Sequence, residues 1–194
     1  LDYKQKALHL QMNPHFLFNC LAAISSYIMQ NEKEEAAKYL AMFSKLMRFT
    51  LESSKENWIT IDKELASLTQ YLSLEQLRLK NIFDFTITKS ISVEEDMLVP
   101  PMLIQPLVEN AIIHGILPNQ VKGKIALEFE VKNNLLYVTI TDDGIGIENS
   151  KKLKENQVEL HKSMALSIIK ERLEMLQKNS NKTAKLEYMQ TSSG

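Results

Sequence analysis

Cysteine occurs once in this chain, at Cys20, so no internal disulfide can form, and the four histidines and one cysteine give no zinc-ligand spacing. That usage fits a reducing, cytoplasmic compartment. Neither sign of charge is in excess: 23 Lys and Arg face 24 Asp and Glu, for a net charge of −1. A nucleic-acid-binding surface would need a basic footprint, and there is none. Long hydrophobic runs are lacking too. The most apolar stretch, Met97 to Leu117, is broken by Pro100, Pro101 and Pro106 and carries Glu109, Asn110 and His114, so it cannot be a spanning helix. Nothing has the form of a signal peptide. The chain starts at Leu1 and stops at Gly194 after a strand-like run, so it reads as a piece of something longer, with any membrane segment expected outside it. Glycine is scarce, with five in 194 residues, so where glycines fall carries information.

What is there begins with Leu10-Gln11-Met12-Asn13-Pro14-His15-Phe16-Leu17-Phe18-Asn19. Residues four apart share a helix face, which puts Gln11, His15, Asn19 and Ser26 on a polar stripe and Leu10, Leu17, Leu21, Ile24 and Ile28 on the apolar one. Pro14 either kinks this helix just before His15 or starts it there. A second helix follows Asn31, with Ala36, Leu40, Phe43 and Met47 as its apolar stripe and Glu34 and Glu35 at the end where the dipole favours acids. Thr60 can cap a third helix, with Asp62 and Glu64 in its first turn and Ile61, Leu65, Leu68, Leu72 and Leu79 on one side. The narrow stripes of the first two are most simply buried in a four-helix bundle made from two copies of the hairpin.

At Asn81 the period becomes alternating, and the domain boundary is placed there: a helical region over 1–80 and an α+β region over 81–194. Phe83, Phe85 and Ile87 mark a strand. Pro100-Pro101 is expected to start a helix carrying Ile104, Leu107, Val108 and Ala111 to the core and Glu109, Asn110 and His114 along an edge, with Gly115 ending it. Ile125 to Val131 and Leu136 to Ile140 form a hairpin turned at Asn133-Asn134. Residues 150–162 read as a polar loop, and Leu166, Ile169, Leu173 and Leu176 as a further helix before a last strand at about 184–190.

Two stretches of the second half bear on chemistry. In Glu109-Asn110-Ala111-Ile112-Ile113-His114-Gly115, an Asn oxygen is a competent ligand for Mg²⁺; the plain alternative is a polar helix edge. In Asp142-Asp143-Gly144-Ile145-Gly146, a carboxylate at a strand exit can accept from the exocyclic amine of adenine while two glycines permit close backbone approach; the alternative is an Asp-Gly turn.

The order of Asn13-Pro14-His15-Phe16-Leu17-Phe18-Asn19, Tyr71-Leu72 to Glu75 and Arg78, Pro100-Pro101 to Asn110-Ala111 with His114-Gly115, Asp142 to Gly146, and Glu171-Arg172-Leu173 closely resembles the LytS-like sensor histidine kinases, over nearly the whole chain. The resemblance implies a dimeric helical hairpin with His15 as phospho-acceptor, followed by a Bergerat-type ATP-binding sandwich. It implies Asn110 as the Mg²⁺ ligand and Asp142 as the adenine-reading acid, with His114, Gly144, Gly146, Ser163 and Leu166 around ATP. It further implies autophosphorylation, phosphotransfer to a response regulator, often one with a LytTR DNA-binding domain, and a membrane-anchored sensor of which this is a cytoplasmic part. The chain departs from the family where Ser163-Met164-Ala165-Leu166 replaces a glycine pair, where Phe16 follows the acceptor in place of the acid usual in other histidine kinases, and at its end, where the last strand is missing.

Asn19, one turn beyond His15, could orient a water for reverse hydrolysis. Glu75 and Arg78 either order the junction, supply the missing acid, or form an ordinary exposed i, i+3 ion pair. The nucleotide region is expected to swing on the link near Asn81. Two rival readings stand beside the kinase: a scaffold that docks a regulator without kinase activity, and an ATPase in which Glu109 activates water.

Overall fold

The computed structural model describes residues 14–118, 121–144 and 173–174, with side chains from residue 16. Helix α1 (Pro14–Met29) and helix α2 (Lys33–Ser53) form a hairpin. Asn31, at φ 61°, makes the turn, and the amide of Glu32 reaches back to the carbonyl of Tyr27. A two-residue strand β1 (Ile59–Thr60) leads into helix α3 (Ile61–Arg78). Strand β2 (Phe83–Lys89), the short β3 (Leu98–Val99), helix α4 (Gln105–Asn110), a π-helical turn (Ala111–Ile116), β4 (Gly123–Lys132) and β5 (Leu135–Asp142) follow. Together they make a mixed α+β architecture. The main sheet has the order β2-β4-β5, with β2 parallel and β5 antiparallel to β4.

The strands form as their alternation requires. Gly123, Ile125, Leu127 and Phe129 are buried and Lys124 and Glu128 exposed, and Asn133 and Asn134 both take positive φ, as a tight two-residue hairpin turn needs. In the helices the apolar faces differ from expectation. The buried ladder of α1 is Phe16, Cys20 and Ile24, while Leu21 and Ile28 are 54% and 62% exposed, with Phe18 beside them at 71%. The buried ladder of α2 is Ala36, Tyr39, Leu46, Thr50 and Ser53, with Leu40 exposed. Both helices carry apolar residues on more than one face, and the faces buried are those that meet each other and α3.

That helix lies at the centre. Ile61, Leu68, Tyr71, Leu72 and Leu74 are all within 1% of complete burial, in one core that runs from Phe16 to Phe129. Gln70 Nε2 donates to the carbonyl of Met42 and the Tyr27 hydroxyl to that of Leu77, which fixes α3 to the hairpin. On the other side β1 pairs with β3, and the Ile61 amide donates to the carbonyl of Met97. Thr60 occupies the N-cap position without a capping side-chain bond. The expected swing near Asn81 meets a bonded turn instead: the Asn81 amide reaches the carbonyl of Gln76, Gln76 Nε2 that of Phe83, and the Gly123 amide that of Ile82. Rotation there would break these bonds.

The helix expected from Pro101 starts only at Gln105, with Pro106 in its first turn. Met102 stands ahead of it at φ 56°, its amide held by Glu64 Oε2 at 2.9 Å. Gly115 does not end the helix, which continues through it to Ile116. Among the described residues no helix is long and apolar enough to cross a membrane.

Candidate functional site

His15 lies in α1, and its side chain falls outside the described ones. Phe16, its neighbour, packs on Tyr71 of α3 with ring centroids 5.2 Å apart and planes tilted by 43°. One turn on, Cys20 is fully buried and accepts a hydrogen bond from the Tyr39 hydroxyl at 3.4 Å. One turn beyond Tyr71, Glu75 receives two hydrogen bonds from Arg78, from Nε at 2.9 Å and from Nη2 at 2.5 Å. The i, i+3 pair expected from the sequence is there, but it is not exposed: the Glu75 side chain is 5% and that of Arg78 19% accessible. Both Glu75 oxygens accept from Arg78. Asn19 is half-buried on the same helix.

The electrostatics tie these groups together. Burial raises the Tyr71 hydroxyl well above its ordinary pKa, and the next influence is the negative charge of Glu109, followed by that of Glu75. Burial pushes the Cys20 thiol up to about 11. Tyr39 is raised by burial and then by its bond to Cys20, with Glu75 and Arg78 also acting on it. The helix that bears Glu109 and Asn110 thus reaches electrically to the residue on which the His15 turn rests.

Glu109, Asn110 and His114 are half-buried along one segment, as expected. At Asn110 the α-helix changes to π-helix, a local widening of the backbone spiral that is often found at functional sites. Asn110 Nδ2 is buried and has no hydrogen-bond partner among the described residues. A buried amide end without a protein partner is a place for a ligand, and turned over it presents an oxygen, the atom Mg²⁺ takes. Among the described residues no group of three His, Cys, Asp or Glu could hold a metal.

Asp142 ends β5 and accepts from the Gly144 amide at 3.1 Å, while Asp143 Oδ1 accepts from the Lys124 amide at 2.6 Å. A Cβ on Gly115 would collide with the Asp142 carboxylate, and one on Gly144 with the backbone of Gly115. Two glycines and one aspartate from distant parts of the chain therefore meet only because two side chains are missing. The structure brings Gly115, on the segment that carries Asn110 and His114, against Asp142 and Gly144, and Phe16, next to His15, against Tyr71. Gly146, Ser163 and Leu166 lie outside the described residues.

Sequence reasoning treated Glu64 as a first-turn acid complementing the helix dipole. It is 1% exposed and holds the amide of Met102, three residues before α4. Its signal was the left-handed residue ahead of the helix, which no periodicity reports. Tyr39 was missed because it stood off the expected apolar stripe.

Comparison with known proteins gives a consistent picture. Residues 3–83 match a family model described as histidine kinase. The whole chain is 39% identical, over 202 residues, to the sensor histidine kinase/phosphatase LytS of Staphylococcus aureus (strain Mu50 / ATCC 700699), of which it covers 33%. Over 143 residues, 74% of the chain, it is 38% identical to the sensor histidine kinase YpdA of Escherichia coli (strain K12), covering 25% of that protein. The chain thus spans a third or less of the length of these relatives.

Proposed function

Because the chain belongs to the LytS-like sensor histidine kinases, we propose that it is the catalytic core of a two-component sensor, which autophosphorylates His15 from ATP and passes the phosphoryl group to an aspartate of a response regulator, one of LytTR type. The observation that carries this reading is the buried amide nitrogen of Asn110, which has no hydrogen-bond partner among the described residues, on the segment whose Gly115 meets Asp142 and Gly144. In this reading residues 1–80 supply dimerisation and phosphotransfer and 81–194 the ATP site, a Bergerat-type sandwich, with α3 bonded to both. The longer protein is an inner-membrane-anchored bacterial sensor, and this region is cytoplasmic.

A neutral imidazole, with a reference pKa of ~6.5, already offers a lone pair at pH 7, so no strong base is needed. The protein's task is to place a ring nitrogen in line with the γ-phosphorus. Asp142 reads the adenine amine, Gly115 and Gly144 allow the backbone to close on the Asp142 carboxylate, and His114 and the hydroxyl of Ser163 are the candidate partners for the rest of the nucleotide. Asn110 would hold Mg²⁺, which supplies charge neutralisation at the phosphate oxygens when bound. Asn19, half-buried one turn from His15, orients water for dephosphorylation, a reading favoured by the kinase/phosphatase name of the Staphylococcus relative.

The uncovered apolar residues Phe18, Leu21, Ile28, Leu40 and Leu51 are the dimer surface, closing a four-helix bundle with a second hairpin. Light scattering at micromolar concentration should give twice the 22.3 kDa chain mass. A strict monomer would contradict the bundle.

The experiment for the activity is incubation with γ-labelled ATP and Mg²⁺. Acid-labile, base-stable label on the protein is the expected result. Phosphate release without label would instead favour an ATPase using Glu109, and nucleotide binding without either would favour a scaffold.

A further inference from the structure

Burying an ion pair removes two charges from water, and well-packed apolar residues of similar size are often as stable or more so, which makes Glu75–Arg78 a poor device for stability alone. Its place is informative. The chain runs in the same direction in α1 and α3: Phe16, near the start of α1, lies on Tyr71, and Tyr27, near its end, bonds the carbonyl of Leu77 further along α3. Tyr39 of α2 enters between them and donates to Cys20. The pair therefore stands at the rung directly after the one that supports the acceptor turn.

The same α3 fixes the nucleotide side within the same chain. Glu64, in its first turn, holds Met102 ahead of α4, and Leu68, Tyr71 and Leu72 share one core with Ile104 and Val108. The relative height of α1 on α3 thus sets the height of residue 15 against Asn110. An apolar seam alone tolerates sliding between equivalent holes, and one helical turn of slip is about 5.4 Å. A displacement of only ~1 Å at the reacting atoms can cost on the order of 100-fold in rate. A single buried polar feature is the best-attested way to forbid such slips.

We propose that Glu75 and Arg78 are positioning residues for phosphoryl transfer, fixing the register of the His15 helix on α3 and hence on the Asn110 helix of the same chain. This rests on the kinase reading above. The pair acts through Tyr71, Phe16 and the Cys20–Tyr39 contact.

The test is the double variant Glu75→Leu/Arg78→Met in the full 194-residue chain, followed by thermal unfolding, ATP affinity by calorimetry and the rate of His15 labelling. A midpoint equal to or above wild type, ATP affinity within about twofold and a labelling rate lowered by about tenfold or more is the expected outcome. Stability and rate then move apart, which a merely structural pair would not produce. A labelling rate within about threefold of wild type, or a rate that falls only in step with stability and ATP affinity, overturns the proposal. Should the double variant fail to fold, Glu75→Gln, which keeps the shape and removes the charge, is read by the same split well below its unfolding midpoint. Absence of label in the wild type would refute the kinase reading itself, and is told apart because it appears before any substitution.

Discussion

The sheet over residues 83–142 and the helices over residues 14–78 treat their side chains differently. In β4 burial follows strict alternation from Gly123 to Phe129, since a strand has two faces and only one choice between them. In α1 Phe16, Cys20 and Ile24 are inside while Phe18, Leu21 and Ile28 lie outside, although both sets are apolar. Among the described residues the buried polar side chains, Thr50, Ser53, Glu64, Ser67 and Glu75, all belong to α2 and α3. In the main sheet the exposed apolar residues, Leu135 and Tyr137, lie on β5, where no residue is buried. The helical region is apolar on more than one face and holds the buried polar side chains.

The sharpest division of labour to test is acceptor against nucleotide site. His15→Gln should abolish label and leave ATP binding intact, and Asp142→Ala should abolish both. In purified heterodimers, transfer within one chain predicts label when wild type is paired with a chain carrying both substitutions, and none when each chain carries one. The reverse pattern would show that α3 does not bring acceptor and nucleotide together in one chain.

Next comes the glycine contact that closes the nucleotide side. Gly144→Ala should lower ATP affinity by about tenfold or more, because the added Cβ would press on the Gly115 backbone rather than on a flexible side chain. Calorimetry would show it, and an unchanged affinity would mean that this contact is absent from the bound state.

The contrast between the two apolar populations can be read as stability. Leu127→Ala, in the buried row of β4, should cost about 2–5 kcal/mol in denaturant unfolding. Leu21→Ala should leave the unfolding of the isolated chain within about 0.5 kcal/mol, and weaken the dimer instead.

The smallest effect concerns Cys20. Its thiol is raised from 9.0 to about 11 by burial, so the neutral form is favoured in the folded state. The stability this contributes is fully present below pH 9.0 and is lost as pH rises through about 11. Alkylation at pH 8 should therefore proceed only through unfolding, and fast labelling of the native protein would contradict the burial.

Much of this was legible in advance. The three helices, the change of period at Asn81 and the Asn133-Asn134 hairpin all follow from spacing and turn residues. The start of α4 was read too early because Pro100-Pro101 looked like an N-terminus, whereas Glu64, 38 residues away in sequence, holds the left-handed Met102 and delays the helix to Gln105. Gly115 looked like a helix stop, and its missing side chain instead admits the Asp142 carboxylate.

The sequence by itself determined the element types, the strand faces and the identity of the chemical groups, because these depend on period, turn residues and side-chain chemistry within a few positions. Which apolar face of α1 and α2 meets the rest of the chain, that Glu75 is buried with Arg78 half-buried beside it, and that the turn at Asn81 is hydrogen-bonded on both sides were decided only by tertiary structure. Each depends on what a third helix, distant in sequence, presents to a surface that local periodicity leaves free to turn either way.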